Sequence, residues 1–364
     1  MHYQLLSSLQ VISLQEYVNE SQSVLPIQGN VLILTSPSIE KIDRVDQSIK
    51  AIKNLKNVTS VSVNHISPEA PIDELDQIIS EIKKPDHIIG IGGGSVIDST
   101  KALSLSWDGR TVSELFYKKK ENPATKILTT VVPSTAGTGA ELSHGAIVYD
   151  RINYKKGGIR GAIMQPDSVV IDKEIYKHAP PKLIAETGFD CLTHAIETYC
   201  STVSNPIVKY QSVKAIETVF HCLKKAVNKD VEALEKMAIT ASFMGLNLAY
   251  SRTCLPHRIQ YVIGPGTNTS HAQGLIMLYR GWLPLIAKTK VFGEMAKDLG
   301  LEVGEVVDRI NNLKNELNID YRLRDFGVQK DEVQSLSKQV SGTVELDPSF
   351  KGIETITKII KDSI

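Results

Sequence analysis

The sequence predicts an α/β N-terminal domain built on a parallel, doubly wound sheet, followed by an all-α C-terminal domain. Three observations carry this expectation. Short β-rich runs alternate with helical patterns up to about residue 178, one of those runs opens directly into consecutive glycines, and after His178-Ala179-Pro180-Pro181 long helical patterns follow with almost no β-rich runs between them. A chain of 364 residues exceeds one ordinary core, so two domains are expected, 1–178 and 179–364. With no low-complexity linker between them, the active site is expected in the cleft where they meet.

Taken in order, Asn30–Thr35 (NVLILT) reads as a buried strand closed by Ser36-Pro37-Ser38, with helical spacing from there to about Leu55. Val58–Val63 is the next strand, Ile72–Ile82 a helix, and His87–Ile91 a strand feeding the glycines. Ile127–Val132 and Ser168–Ile171 complete the β-rich runs. The second half predicts helices over Lys182–Thr202, Ile207–Ala226, Val231–Tyr250, Gly274–Ala287, Lys290–Asp298, Val303–Leu317 and Lys330–Val340, with Gly264–Ser270 as a loop.

Composition narrows the function class. Forty-one basic residues balance forty-one acidic ones, which leaves no global field to draw nucleic acid or an anionic membrane. No apolar run approaches the roughly 20 residues of a bilayer span, and Met1–Gln10 lacks a basic segment followed by an apolar block, so no signal peptide is expected. Cys191, Cys200, Cys222 and Cys254 have no paired CxxC spacing and read as reduced, buried thiols. A cytoplasmic protein acting on a small molecule is the expectation.

Two loops and one set of ligands carry the chemistry. Gly92-Gly93-Gly94-Ser95 sits between a strand and a helix, where the lack of Cβ atoms lets the backbone approach a pyrophosphate and the first-turn N–H groups point at it. The spelling is not GxGxxG, so the Rossmann fingerprint does not apply. Val132–Glu141 follows another strand and packs small hydroxyl residues around Gly137 and Gly139. Asp190 and His194 are four apart and share one helix face, and His257 and His271 follow on later segments. Each histidine alone also fits a structural role. One carboxylate and three neutral imidazoles together suit Zn²⁺ or Fe²⁺ and suit Mg²⁺ poorly.

Read together, GGGSVID at 92–98, PSTAGTGAE at 133–141, GFDCLTHAIETY at 188–199 and the pair His257 and His271 resemble the iron-containing alcohol dehydrogenase family of the dehydroquinate-synthase-like superfamily, over roughly residues 30–300. The resemblance implies a dinucleotide-binding N-terminal domain and a metal-binding C-terminal domain, with Asp190, His194, His257 and His271 as metal ligands and Gly92, Gly93, Gly94 and Ser95 as the pyrophosphate cradle. It also implies Asp98, Thr135 and Thr138 lining the cofactor cleft, Lys156 near the cofactor, Fe²⁺ with Zn²⁺ as the alternative, and a homodimer.

Three departures from the family pattern bear on function. The family's aspartate after the first-strand threonine is replaced by Ser36, which removes a carboxylate that would repel a 2′-phosphate and tips the expected cofactor toward NADP(H) over NAD(H). Tyr261 stands where the family places a proton-relaying histidine, and a phenol also passes protons. Arg258 directly follows a metal ligand and is a candidate substrate contact. The resulting expectation is a metal-dependent, NAD(P)(H)-linked alcohol dehydrogenase or aldehyde reductase. A polyol-phosphate dehydrogenase and a redox-neutral lyase or cyclase of the dehydroquinate-synthase type are the rivals, and few Lys or Arg residues stand near the metal motifs to grip a phosphate leaving group.

Overall fold

A computed structural model describes residues 8–24, 26–267 and 269–364. The N-terminal segment read above for a signal peptide lies outside the described residues as far as Ser7. The chain divides into two compact units, Met1–Ala179 and Pro180–Ile364.

The first unit runs β1 (Ser8–Gln10), α1 (Leu14–Val24), β2 (Gly29–Thr35), α2 (Pro37–Glu40), α3 (Asp43–Lys53), β3 (Val58–His65), α4 (Ile72–Glu81), β4 (His87–Gly92), α5 (Gly94–Ser104), α6 (Val112–Phe116), β5 (Leu128–Pro133), β6 (Gly145–Asp150), β7 (Lys155–Arg160), β8 (Ser168–Val170) and α7 (Lys173–Tyr176). Six strands form one parallel sheet in the order β1-β8-β5-β4-β2-β3. Along β2, Leu32 and Leu34 enter one apolar core while Val31 and Ile33 enter the other. Alternation with both faces buried is what a parallel sheet between two helical layers requires, and it explains why this strand reads as an unbroken apolar run. Edge strand β3 is instead rich in Thr, Ser and Asn, a composition that discourages pairing with another chain.

The sequence reading has no counterpart for the antiparallel hairpin β6–β7. Its turn is organised by Asp150, whose Oδ1 accepts from the amides of Ile152 (2.9 Å) and Asn153 (3.0 Å). β7 begins Lys155-Lys156-Gly157-Gly158, too polar and glycine-rich to stand out by apolar periodicity.

The second unit contains α8 (Pro181–Cys200), α9 (Pro206–Val227), α10 (Val231–Ser251), α11 (Leu255–Thr267), α12 (His271–Ile286), α13 (Lys290–Asp298), α14 (Val303–Glu316), α15 (Val333–Gln339) and α16 (Ile353–Asp362), with no strand among the described residues. α8 is its central rod: every residue from Ile184 to Cys200 is buried, against α9, α10 and α12. A helix buried on all sides gives up its polar face, so the polar residues it keeps need partners inside the protein.

Two expectations need correction here. Gly264–Thr267 is the last turn of α11 rather than a loop, and only Thr269 and Ser270 separate it from α12 among the described residues, Asn268 lying outside them. Pro265 inside that turn lacks an N–H, and Thr267 Oγ1 bonds back to the carbonyls of Ile263 (3.1 Å) and Gly264 (3.3 Å). The helix expected over Lys330–Val340 begins as a 3₁₀ turn at Lys330–Glu332 and is α-helical only over Val333–Gln339. No described helix is long and apolar enough to cross a membrane.

Candidate active site

In the second unit, α8 carries Asp190 and His194 one turn apart, α11 carries His257, and His271 is the first residue of α12. Asp190, His257 and His271 offer ligand atoms that lie within 4.8 Å of one another. His194 adjoins this group: its Nε2 stands 3.7 Å from Asp190 Oδ1, and its ring stacks on His257 with centroids 4.6 Å apart and planes at 20°. The four residues singled out from sequence are thus neighbours in the structure.

Three polar atoms at the centre have no hydrogen-bond partner. Asp190 is buried, and both its carboxylate oxygens, together with His257 Nε2, lack one. Asp190 Oδ1 is 3.6 Å from His257 Nε2. That distance is too long for a hydrogen bond. It is close to the roughly 3.4 Å separating two ligand atoms that each sit about 2.1 Å from one tetrahedral ion. Burying a carboxylate with no hydrogen-bond donor on either oxygen is expensive, so the arrangement fits a divalent cation bound among these groups.

Electrostatics agrees with the geometry. Burial works to raise the Asp190 carboxyl, but His194, then His257 and His271, more than reverse it and hold the group well below the usual carboxylate range. Burial likewise works to lower His257, yet Glu197 and Asp190 lift it to about 10 in the metal-free site. An ion entering there would replace that proton.

Two residues outside the sequence-derived set hold the ligands in place. Glu197, fully buried on α8, accepts from the Cys254 amide at 2.9 Å through Oε1 and from His257 Nδ1 through Oε2. A carboxylate facing a ring nitrogen accepts, so Nδ1 keeps its proton on Glu197, and Nε2 is the nitrogen that can give up its proton to an ion. Gln260 does the matching work for His271, its Oε1 2.8 Å from His271 Nδ1. The space Gln260 occupies exists because positions 264 and 274 are glycine: a Cβ at Gly264 would come within 2.7 Å of Gln260 Nε2, and one at Gly274 within 2.7 Å of its Cγ. Glu197 had a sequence signal, since Asp190, His194 and Glu197 repeat at four and three along one helix face. Gln260 had none, because its role depends on the return of α12.

In the first unit, adjacent parallel strands β4 and β5 end side by side, with Gly92 paired to Pro133 and the Ser134 amide bonded to the Gly92 carbonyl at 2.9 Å. The two loops foreseen from sequence therefore leave the same edge of the sheet. Gly93 caps α5, and the N–H groups of Gly94 and Ser95 lie ahead of its first helical hydrogen bonds, an arrangement suited to a phosphate. A Cβ at Gly94 would meet the Thr138 methyl at 2.9 Å, and one at Gly93 would meet Thr135 Oγ1 at 3.4 Å, so the glycines bring the loops together.

The remaining cofactor candidates are already engaged within the unit. Ser95 Oγ accepts from the Glu69 amide at 2.9 Å, and Lys156 pairs with the Glu69 carboxylate. Thr138 Oγ1 accepts from the Ala140 amide at 3.3 Å. Asp98 accepts from the Ile147 amide at 3.0 Å and faces buried Lys101 at 3.5 Å, tying α5 to β6. Ser36 directly follows β2, and its hydroxyl lies 3.2 Å from that of Ser38.

Comparison with known sequences decides the family. Residues 10–173 match the iron-containing alcohol dehydrogenase model, and residues 184–364 match the C-terminal model of the Fe-containing alcohol dehydrogenase family. Alcohol dehydrogenase 4 of Schizosaccharomyces pombe is 30% identical over 349 residues, covering 90% of this chain and 82% of the yeast protein. The chain belongs to the iron-containing alcohol dehydrogenase family. As a member it is an oxidoreductase of the NAD(P)-linked alcohol dehydrogenase and aldehyde reductase class. A further relative in this family is the NADPH-dependent butanol dehydrogenase of Clostridium saccharobutylicum, 29% identical over 272 residues, 69% of this chain and 68% of that one. The fold also matches solved iron-containing alcohol dehydrogenase folds. Sulfoacetaldehyde reductase from Bifidobacterium kashiwanohense superposes with a TM-score of 0.88 at 21% identity, over 99% of this chain and 97% of that one.

Proposed function

We propose that Asp190, His194, His257 and His271 hold a divalent metal, Fe²⁺ in preference to Zn²⁺, and that the protein uses it to interconvert small alcohols and aldehydes with NADP(H) in preference to NAD(H). The observation that carries this reading is the buried Asp190 carboxylate, without a hydrogen-bond partner and facing the ring nitrogen of His257. A bound metal supplies a Lewis acid that polarises a hydroxyl or carbonyl oxygen. A bound nicotinamide supplies or accepts the hydride.

This chain's own residues do the rest. Glu197 and Gln260 fix two imidazoles with Nε2 toward the ion. Tyr261, whose ring lies 6.0 Å from that of His271, is the candidate carrier of the alcohol proton. The first-turn amides at Gly94 and Ser95 bind the pyrophosphate, with Thr135 and Thr138 beside them and Asp98 and Lys156 bracing the same edge.

Ser36 and Ser38 offer hydroxyls rather than a carboxylate at the end of β2, while Glu40 spends its carboxylate on His65 at 2.5 Å. This supports the NADP(H) preference. A homodimer in the cytoplasm completes the proposal, on family resemblance alone. The test is a panel of aldehydes assayed by NADPH and NADH oxidation, with metal measured on the same sample. Turnover that tracks metal content supports the reading, and metal-free protein that turns over equally well refutes it.

A further inference from the structure

Arg258 is a cation held in place without a counter-ion. The guanidiniums of Arg44, Arg151 and Arg280 each meet a carboxylate. Arg258 is half-buried, has no carboxylate partner among the described residues, and keeps a buried Nε with no hydrogen-bond partner. What it does touch fixes its position. Nη2 donates to Thr253 Oγ1 at 2.9 Å, and Thr253 is held in turn by Thr343, whose hydroxyl donates to its carbonyl at 2.7 Å. Gly342, at φ 98°, lets the backbone pass so close that a Cβ there would lie 3.1 Å from Arg258 Cδ and 3.2 Å from Nη1.

Ordering a long side chain and partly desolvating its charge are both unfavourable; the Tyr261 ring under the guanidinium offsets part of that cost, but neither it nor the threonine or glycine neutralises the charge. The location gives the reason for tolerating this. The guanidinium lies 5.1 Å from the centre of the Tyr261 ring, and that ring lies 6.0 Å from the His271 ring. Arg258 follows His257 on α11, so the cation stands one aromatic ring away from the metal ligands.

We infer that Arg258 receives the far end of the substrate, and that this end is an oxyanion, a carboxylate or sulfonate on a short chain. The inference rests on the dehydrogenase reading above and names the substrate class of the same site. A guanidinium presents a planar pair of donors that a carboxylate matches, and Nε is one of the atoms that makes that pair.

The experiment compares matched substrates in the metal-loaded enzyme: butanal against 4-oxobutanoate, and propanal against 2-oxoethanesulfonate. The native enzyme is expected to favour the anionic member of at least one pair by 10-fold or more in kcat/KM, and which pair shows it separates carboxylate from sulfonate. Arg258→Met should collapse that preference by about 10- to 100-fold, mainly through KM, and Arg258→Lys should restore part of it. Ligand-observed NMR of 4-hydroxybutyrate or 2-hydroxyethanesulfonate with the metal-free protein reads binding without catalysis, and its contact signal should fall in Arg258→Met. Equal use of charged and uncharged members, or a preference unchanged in Arg258→Met, overturns the anion site. Failure to turn over any of the four aldehydes overturns the dehydrogenase reading instead.

Discussion

Glu197→Gln preserves shape and removes one charge, so it isolates what the buried carboxylate does. Two N–H groups depend on it, the Cys254 amide at Oε1 and the His257 ring at Oε2. A glutamine amide has one acceptor oxygen, so one of those donors must lose its partner in a place water does not reach. A buried donor left unpaired costs about 1–3 kcal/mol, and that much stability should be lost in urea unfolding of the metal-free protein. The larger consequence falls on metal. A partner of this kind typically accounts for about 10- to 100-fold in affinity, or about 1.4–2.8 kcal/mol. The same carboxylate also favours the proton on His257, whose pKa stands at about 10. A proton carries one charge and the ion two, so the metal gains more from Glu197 than the proton does. Competition of Co²⁺ or Zn²⁺ against a chelator of known affinity measures the difference directly. A dissociation constant within twofold of the native value, with unfolding free energy unchanged, would refute the role assigned to Glu197.

Three further predictions follow from other elements. Ser36→Asp should move the NADPH-to-NADH ratio of kcat/KM at least 10-fold toward NADH, by placing a carboxylate beside the adenosine ribose; an unchanged ratio removes Ser36 from cofactor selection. Gly274→Ala improves helix propensity by about 1 kcal/mol, yet its Cβ would stand 2.7 Å from Gln260 Cγ and push that side chain off His271, so metal affinity in the chelator competition should fall even if the melting temperature rises. His87 is fully buried on β4, and burial lowers its pKa from 6.5 to about 4. Between those values the unfolded chain binds the proton and the folded one does not, so this contribution is intact above pH 6.5 and is lost as pH falls toward 4, by about 3 kcal/mol in all. His87→Gln should flatten that part of the stability profile, as read by urea unfolding from pH 7 to 4, and an unchanged slope would contradict it.

Much of the fold was legible because its two periodicities are plain. β2 and β4 are unbroken apolar runs since both sheet faces are covered, and α13 begins and ends where its pattern does, at Lys290 and Asp298. What escaped had weak or misleading local signals. The β6–β7 hairpin is polar and glycine-rich on its second strand, and α11 ends in Gly264-Pro265-Gly266, residues that mark a turn in most settings. There the burial of Leu255, His257, Ile259, Gln260 and Ile263 outweighs local propensity, and the helix runs on to Thr267.

The candidate site divides along the same line. Asp190 and His194 could be paired from spacing because one helix sets their geometry, and the resemblance supplied His257 and His271. The partners that orient the ligands could not be read that way, since each joins two elements. Glu197 reaches from α8 to His257 on α11, and Gln260 reaches from α11 to His271 on α12. One partner is a carboxylate and the other a neutral amide, and the difference sets the charge of the site. Asp190 and Glu197 together balance a divalent ion, and a second carboxylate at position 260 would leave the site with excess negative charge. Gln260→Glu tests this directly: it should raise affinity for protons as well as metal, steepening the pH dependence of metal uptake in chelator competition between pH 6 and 8. A pH dependence parallel to that of the native protein would show that the amide serves only to orient the ring.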